Sequence, residues 1–106
     1  MASQKIEQLV IAEVEVSLNP SAMANRPGFG SGVRPNHWIP GRHYTYIGQL
    51  DFKDREWLKP GESCKAICRF LVPPDDLSLF APGLAWHICE ADRIVGFGRV
   101  LSLVNA

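Results

Sequence analysis

Residues 89–104, CEADRIVGFGRVLSLV, carry the reading that decides the fold. Two apolar runs meet at a charged corner, Glu90-Ala91-Asp92-Arg93, which is the signature of a hairpin. The second run holds Gly96 and Gly98 in the last structural element of the chain, although glycine weakens a strand. Paired glycines there predict a bend, where a barrel strand curls tightly or another backbone approaches closely.

Working outward, GLAWHICE supplies the first arm of this hairpin. Further upstream, SCKAICRFLV places Cys64, Ala66, Cys68, Phe70 and Val72 on one face, with Lys65 and Arg69 on the other. LVIAEVEVSL alternates in the same way, Ala12, Val14, Val16 and Leu18 against Glu13, Glu15 and Ser17. A period of two residues with one wet face is a strand. YTYIGQLDF reads as another strand, and KDREWLKPGES holds a short apolar piece before the Pro60-Gly61 turn. Pro73-Pro74 ends the strand before it, because proline cannot donate to a ladder, and DDLSLF suits one helical turn capped by an aspartate. Counting the short piece, the chain offers six strands and no long helix. Closure into a small antiparallel β-barrel removes the exposed edges that a sandwich would leave, so an all-β, six-stranded barrel is expected.

Residues 19–43, NPSAMANRPGFGSGVRPNHWIPGRH, read as one long Gly/Pro-rich loop inside the domain. It is far longer than the ~4 to 6 residues that usually join elements, the length of a functional segment. It carries Arg26, Arg34, Arg42, His37 and His43 and no acid, whereas residues 72–106 hold Asp75, Asp76, Glu90 and Asp92 against Arg93 and Arg99. A basic loop on a chain of zero net charge can steer an acidic partner.

The 106 residues suit one domain, which at this size buries roughly 65% of its unfolded surface. Hydrophobic residues make up 46% and charged residues 21%, an ordinary balance for a soluble protein, and no apolar run approaches the ~18 residues of a membrane span. The opening MASQKIEQLV lacks the features of a secretory signal, and three cysteines are an odd number. Cys64 and Cys68 stand about 13 Å apart on a strand, at ~3.3 Å per residue, too far to bridge. Reduced thiols in the cytoplasm are expected.

No catalytic constellation is visible. Ser31 in GFGSGV lacks the spacing and setting of a nucleophile elbow, and Gly28, Gly30 and Gly32 lack the Lys-Ser/Thr of a phosphate loop. The histidines and cysteines show neither C-x-x-C nor H-x-x-x-H spacing, so no metal, nucleotide or other cofactor is expected, and the cysteines read as small core residues. Asp75 and Asp76 read as a turn cap rather than as an acid-base pair. Arginine and aromatic residues instead gather in one region, with Phe29, Arg34, His37, Trp38, Arg42, His43, Tyr44 and Tyr46. Such a mixture anchors protein interfaces and also stacks bases in RNA binders.

GLAWHICEADRIVGFGRVLSL resembles the C-terminal hairpin of elongation factor Tu and its relatives, whose third domain ends in G-L-x-F-x-I-R-E-G-G-R-x-V-G-x-G-x-V. Gly83, Leu84, Ile88, Glu90, Arg93, Val95, Gly96, Gly98 and Val100 match in register. Pro60-Gly61-Glu62 is similar to that domain's P-G-[DE] turn, Pro73 to its post-strand proline, and VEVSL to its first strand. Gly32, Arg34 and Gly41 are similar to parts of its Gly-Gly-Arg loop.

The resemblance implies a six-stranded antiparallel barrel that contacts other macromolecules: the T-stem backbone of tRNA, a nucleotide-exchange factor and a GTPase domain. The GTPase domain and the middle barrel are absent from this sequence, so GTP hydrolysis and classical tRNA delivery are not expected of it. Ala91 and Asp92 replace the two glycines of the family's corner, and Asp92 would repel a phosphate. The segment between Gly41 and Gly48 is also shorter than the family's aromatic G-Y-R-P-Q-F-Y-F stretch.

The sequence therefore reads as a non-catalytic binding module with a protein partner ahead of RNA, and no membrane. The expected contacts are Arg34, His37, Trp38, Arg42, His43, Tyr44 and Tyr46, and the corner residues Glu90, Asp92 and Arg93. Mimicry of the factor's domain and neutralisation of a toxin both suit such a module.

Overall fold

The computed structural model describes residues 6–22 and 26–105. The stretch MASQK and residues 23–25 of the expected loop lie outside the described residues. Six strands close an antiparallel barrel in the order β1 (Gln8–Leu18), β6 (Ser63–Val72), β4 (Tyr46–Phe52), β3 (Asn36–Trp38), β7 (Ala85–Glu90) and β8 (Arg93–Leu103), with β8 returning to β1.

The two-residue period explains the longest ladder. Val10, Ala12, Val14, Val16 and Leu18 of β1 point inward, as do Cys64, Ala66, Cys68, Phe70 and Val72 of β6. The strands pair without a break from Gln8↔Val72 to Ser17↔Ser63. A register slip of one residue would turn every one of these side chains into water, so the pattern fixes the pairing.

One of the six expected strands is a different one. The apolar piece Trp57–Leu58, β5, is not a barrel stave; it pairs with β2 (Phe29–Gly30) in a two-stranded ribbon outside the barrel sheet. Phe29 and Leu58 of this ribbon are buried in the core cluster. The sixth stave is β3, which lies inside the segment expected to be a single loop. All three of its residues pair with β7, and Asn36 and His37 pair with β4 on the other side. Three residues between prolines and glycines give too short a run for any period to be read. Tyr44 and Thr45 precede β4 rather than belonging to it.

Residues Pro74–Leu79 form a 3-10 helix at the end of the barrel where β6 finishes. The expected aspartate cap is absent: the capping position is Pro73, and no side chain caps the helix. Asp76 is instead buried, and the reason lies in the tyrosines described below.

Gly96 and Gly98 have distinct tasks. A Cβ on Gly96 would stand 2.2 Å from the Ser17 carbonyl oxygen, so this glycine lets β8 close against β1. A Cβ on Gly98 would stand 2.4 Å from the Trp86 ring, so this one makes room for an indole inside the barrel. Trp86, Phe70, Phe80, Tyr46 and His37 pack there as a chain of rings, with Phe70 and Trp86 centroids 5.3 Å apart.

Candidate interaction surface

Alternation on β3 turns His37 inward and Trp38 outward. His37 is 1% exposed, so it is corrected from a partner contact to a core residue. Its Nδ1 accepts a hydrogen bond from Trp86 Nε1 at 2.8 Å, while Nε2 lies 2.9 Å from the Gly48 carbonyl oxygen. A carbonyl can only accept, so the ring is the neutral tautomer protonated on Nε2. Burial lowers its pKa to about 4, against the raising effect of the Gly48 hydrogen bond. Both ring nitrogens are satisfied by the barrel itself, which leaves none for a substrate.

Tyr46 is likewise buried and leaves the expected contact set. Its hydroxyl donates to Asp76 Oδ2 at 2.8 Å, and the Tyr44 hydroxyl donates to the same oxygen. Burial first, then the bond to Asp76, pushes the Tyr46 pKa up; for Tyr44 the bond to Asp76 comes first. Arg42 Nη2 stands 3.8 Å from Asp76 Oδ1. This cluster ties the 3-10 helix to the segment before β4 and makes a structural clasp. The buried acid is its centre, which the sequence reading assigned to a cap.

Trp38 is held on the outer wall. Pro40 and Gly41 build a tight turn in which Arg42 N donates to Ile39 O at 3.1 Å, with Gly41 at φ 95°. Proline followed by a left-handed glycine is the sequence of a type II turn. The turn presents the Arg42 carbonyl to Trp38 Nε1 at 3.0 Å and fixes the indole. The indole then stacks on His87, with centroids 5.5 Å apart and planes 24° from parallel. His87 is the register partner of both Trp38 and Phe97. Trp38, His87 and Phe97 therefore stand side by side across β3, β7 and β8, and Phe97 is 53% exposed.

Beside Phe97, the small side chain of Ala85 leaves a depression of about 280 Å³, bounded by Glu15, Ser17 and Arg99. The charges around the row are matched: Arg99 lies 3.6 Å from Glu15, and Arg42 faces Asp76. Sequence reasoning missed Phe97 as a surface residue. The signal was present, because Gly96 and Gly98 share the inward parity and so place Phe97 outward.

The remaining expected contacts are not brought together. The ends of β7 and β8 put Glu90, Asp92 and Arg93 at the opposite end of the barrel from Arg42, His43 and Tyr44. Glu90 and Arg93 are register partners, yet their side chains part: Glu90 accepts from Arg26 at 2.7 Å, and Arg93 donates to the Ala22 carbonyl at 3.3 Å. The corner is thus strapped to residues of the 19–35 segment. Asp92 and His43 are exposed. Arg34 lies on a third surface, the outer wall of β4, where its Nε donates to Gln49 Oε1 at 3.0 Å.

Among the described residues no group of three or more His, Cys, Asp or Glu converges as metal ligands, and no helix is long and apolar enough to cross a membrane. No protein-family model matches the chain, and no curated protein matches it significantly.

Proposed function

We propose that this chain is a non-catalytic binding module, resembling the third domain of elongation factor Tu, and that it recognises a protein through the outer wall of its terminal hairpin. The observation that carries this reading is the row Trp38, His87 and Phe97, aligned across three neighbouring strands. Aromatic anchors fixed before binding lose little entropy on association, which is why such residues dominate interfaces.

Charge favours a protein over RNA as the partner. A nucleic acid needs unmatched cations for its phosphates, and the arginines bordering this row are each matched by an acid. Mimicry of the factor's domain, or neutralisation of a toxin, in the cytoplasm are the roles this reading supports.

Capture from lysate by the tagged chain, with and without ribonuclease, tests it. A bound protein should survive nuclease and moderate salt and be lost from the Phe97→Asp variant. Recovery of RNA alone, abolished by Arg34→Ala together with Arg42→Ala, would make the module an RNA binder instead.

A further inference from the structure

The wall opposite the aromatic row carries a second surface with different chemistry. Register aligns Leu9 with Leu71, and Leu71 with Ile47, across β1, β6 and β4. All three side chains point outward, at 47%, 39% and 56% exposure. Arg34, Gln49 and Arg69 join Ile47 and Leu71 in a groove of about 260 Å³, with Leu9 beyond it in the same row.

The polar side of this groove is ordered and unbalanced. Gln49 Nε2 donates to both carboxylate oxygens of Asp51, at 3.1 and 3.2 Å, and Arg69 pairs with the same carboxylate. Gln49 Oε1 meanwhile receives Arg34 Nε. Asp51 is therefore matched by Arg69, whereas Arg34 is positioned by a neutral amide. Among the described residues Arg34 makes no ion pair, and its two Nη groups are without partners. An arginine held through Nε, with the rest of its fork open, is arranged to receive a carboxylate.

We infer that this groove binds a segment of a partner protein that carries an acidic side chain next to aliphatic ones. The inference rests on the protein-binding reading above and adds the chemistry of the partner. The carboxylate lies on Arg34, and aliphatic side chains cover Ile47, Leu71 and Leu9. Beneath the groove β6 is paired on both sides, with β1 and with β4, so recognition there is by side chains and not by an added strand. RNA fits poorly: the apolar floor offers no ring for a base to stack on, and Asp51 stands beside the only unmatched cation among the groove residues described.

A phage-displayed random peptide library panned on the full chain tests this directly. The expected consensus is Asp or Glu within about three residues of Leu, Ile or Val. Arg34→Ala should weaken the selected peptide about tenfold, the effect of one lost charge-assisted contact, and Ile47→Ser should weaken it several-fold. Both positions are exposed, so neither variant threatens the fold. Phe97→Asp should leave peptide affinity unchanged, which separates failure of this groove from failure of the aromatic row. The inference is overturned by a consensus lacking acids, by affinity indifferent to Arg34→Ala, by loss of the peptide from Phe97→Asp, or by displacement of the peptide by single-stranded RNA.

Discussion

The wall built from β1, β6 and β4 and the wall built from β3, β7 and β8 close one barrel by different physical means. On the first, the strands pair in an unbroken register and apolar side chains alternate inward, from Ala66 to Phe70. On the second, β3 has three residues, the β7–β8 register shifts between Ile88 and Cys89, and large rings face glycines. Hydrophobic period specifies the first wall; the second needs matched volumes as well. A small barrel has little interior, so an indole and an imidazole can enter only where the facing residue has no side chain.

This difference predicts that adding one methyl to the second wall is worse than removing two from the first. Gly96→Ala drives a Cβ into the Ser17 carbonyl, backbone that cannot swing aside, and should cost about 3 kcal/mol or more. Val14→Ala leaves a small cavity on the first wall and should cost roughly 2 kcal/mol. Urea unfolding of the two variants measures both, and the reverse order would break the distinction.

The imidazole on the second wall also sets a pH dependence. His37 is held near pKa 4 against an ordinary 6.5, so below pH 6.5 the unfolded chain binds a proton that the folded chain refuses. Stability from this group is complete above pH 6.5 and falls as pH drops towards 4, by roughly 3 kcal/mol in all. His37→Gln should be less stable than the parent at pH 7 yet lose less between pH 6.5 and 4. Equal slopes in the two proteins would show that the imidazole is not held neutral.

What was legible does not divide along the two walls, because β8 of the second wall carries the alternating period as β1 and β6 do. The strands β1 and β6 and the terminal hairpin were readable, because the period repeats over ten or more residues in three of these four strands. The barrel itself followed from them. β3 was hidden, since Asn36, His37 and Trp38 show no period, and a lone histidine beside a tryptophan looks like surface. Its burial depends on Gly48 and Trp86, which are distant in sequence and reach His37 only when the barrel closes. Asp76 was misassigned for a related reason: its partners Tyr44 and Tyr46 are about thirty residues away. Strand direction sends the corner residues Glu90, Asp92 and Arg93 and the loop residues Arg42, His43 and Tyr44 to opposite ends of the barrel.

At the hairpin corner the effect is smaller and of opposite sign. Ala91 adopts φ 52°, a left-handed backbone that glycine reaches without strain. Ala91→Gly should therefore stabilise the chain by up to about 1 kcal/mol, which thermal unfolding would detect as a rise of several degrees. A fall in melting temperature would mean that the corner is held by its straps to Arg26 and Ala22 rather than limited by its turn.

The smallest expected effect separates architecture from recognition within a single strand. Phe97 and Gly98 are adjacent, but Phe97 faces water and Gly98 faces Trp86. Phe97→Ser should change stability by less than about 0.5 kcal/mol, because a half-exposed ring on the outer wall contributes little burial. Gly98→Ala should destabilise measurably, because Trp86 must move and its hydrogen bond to His37 with it. If Phe97→Ser matched Gly98→Ala, the outer ring would belong to the fold's own packing, and the aromatic row would lose its standing as a surface kept for a partner.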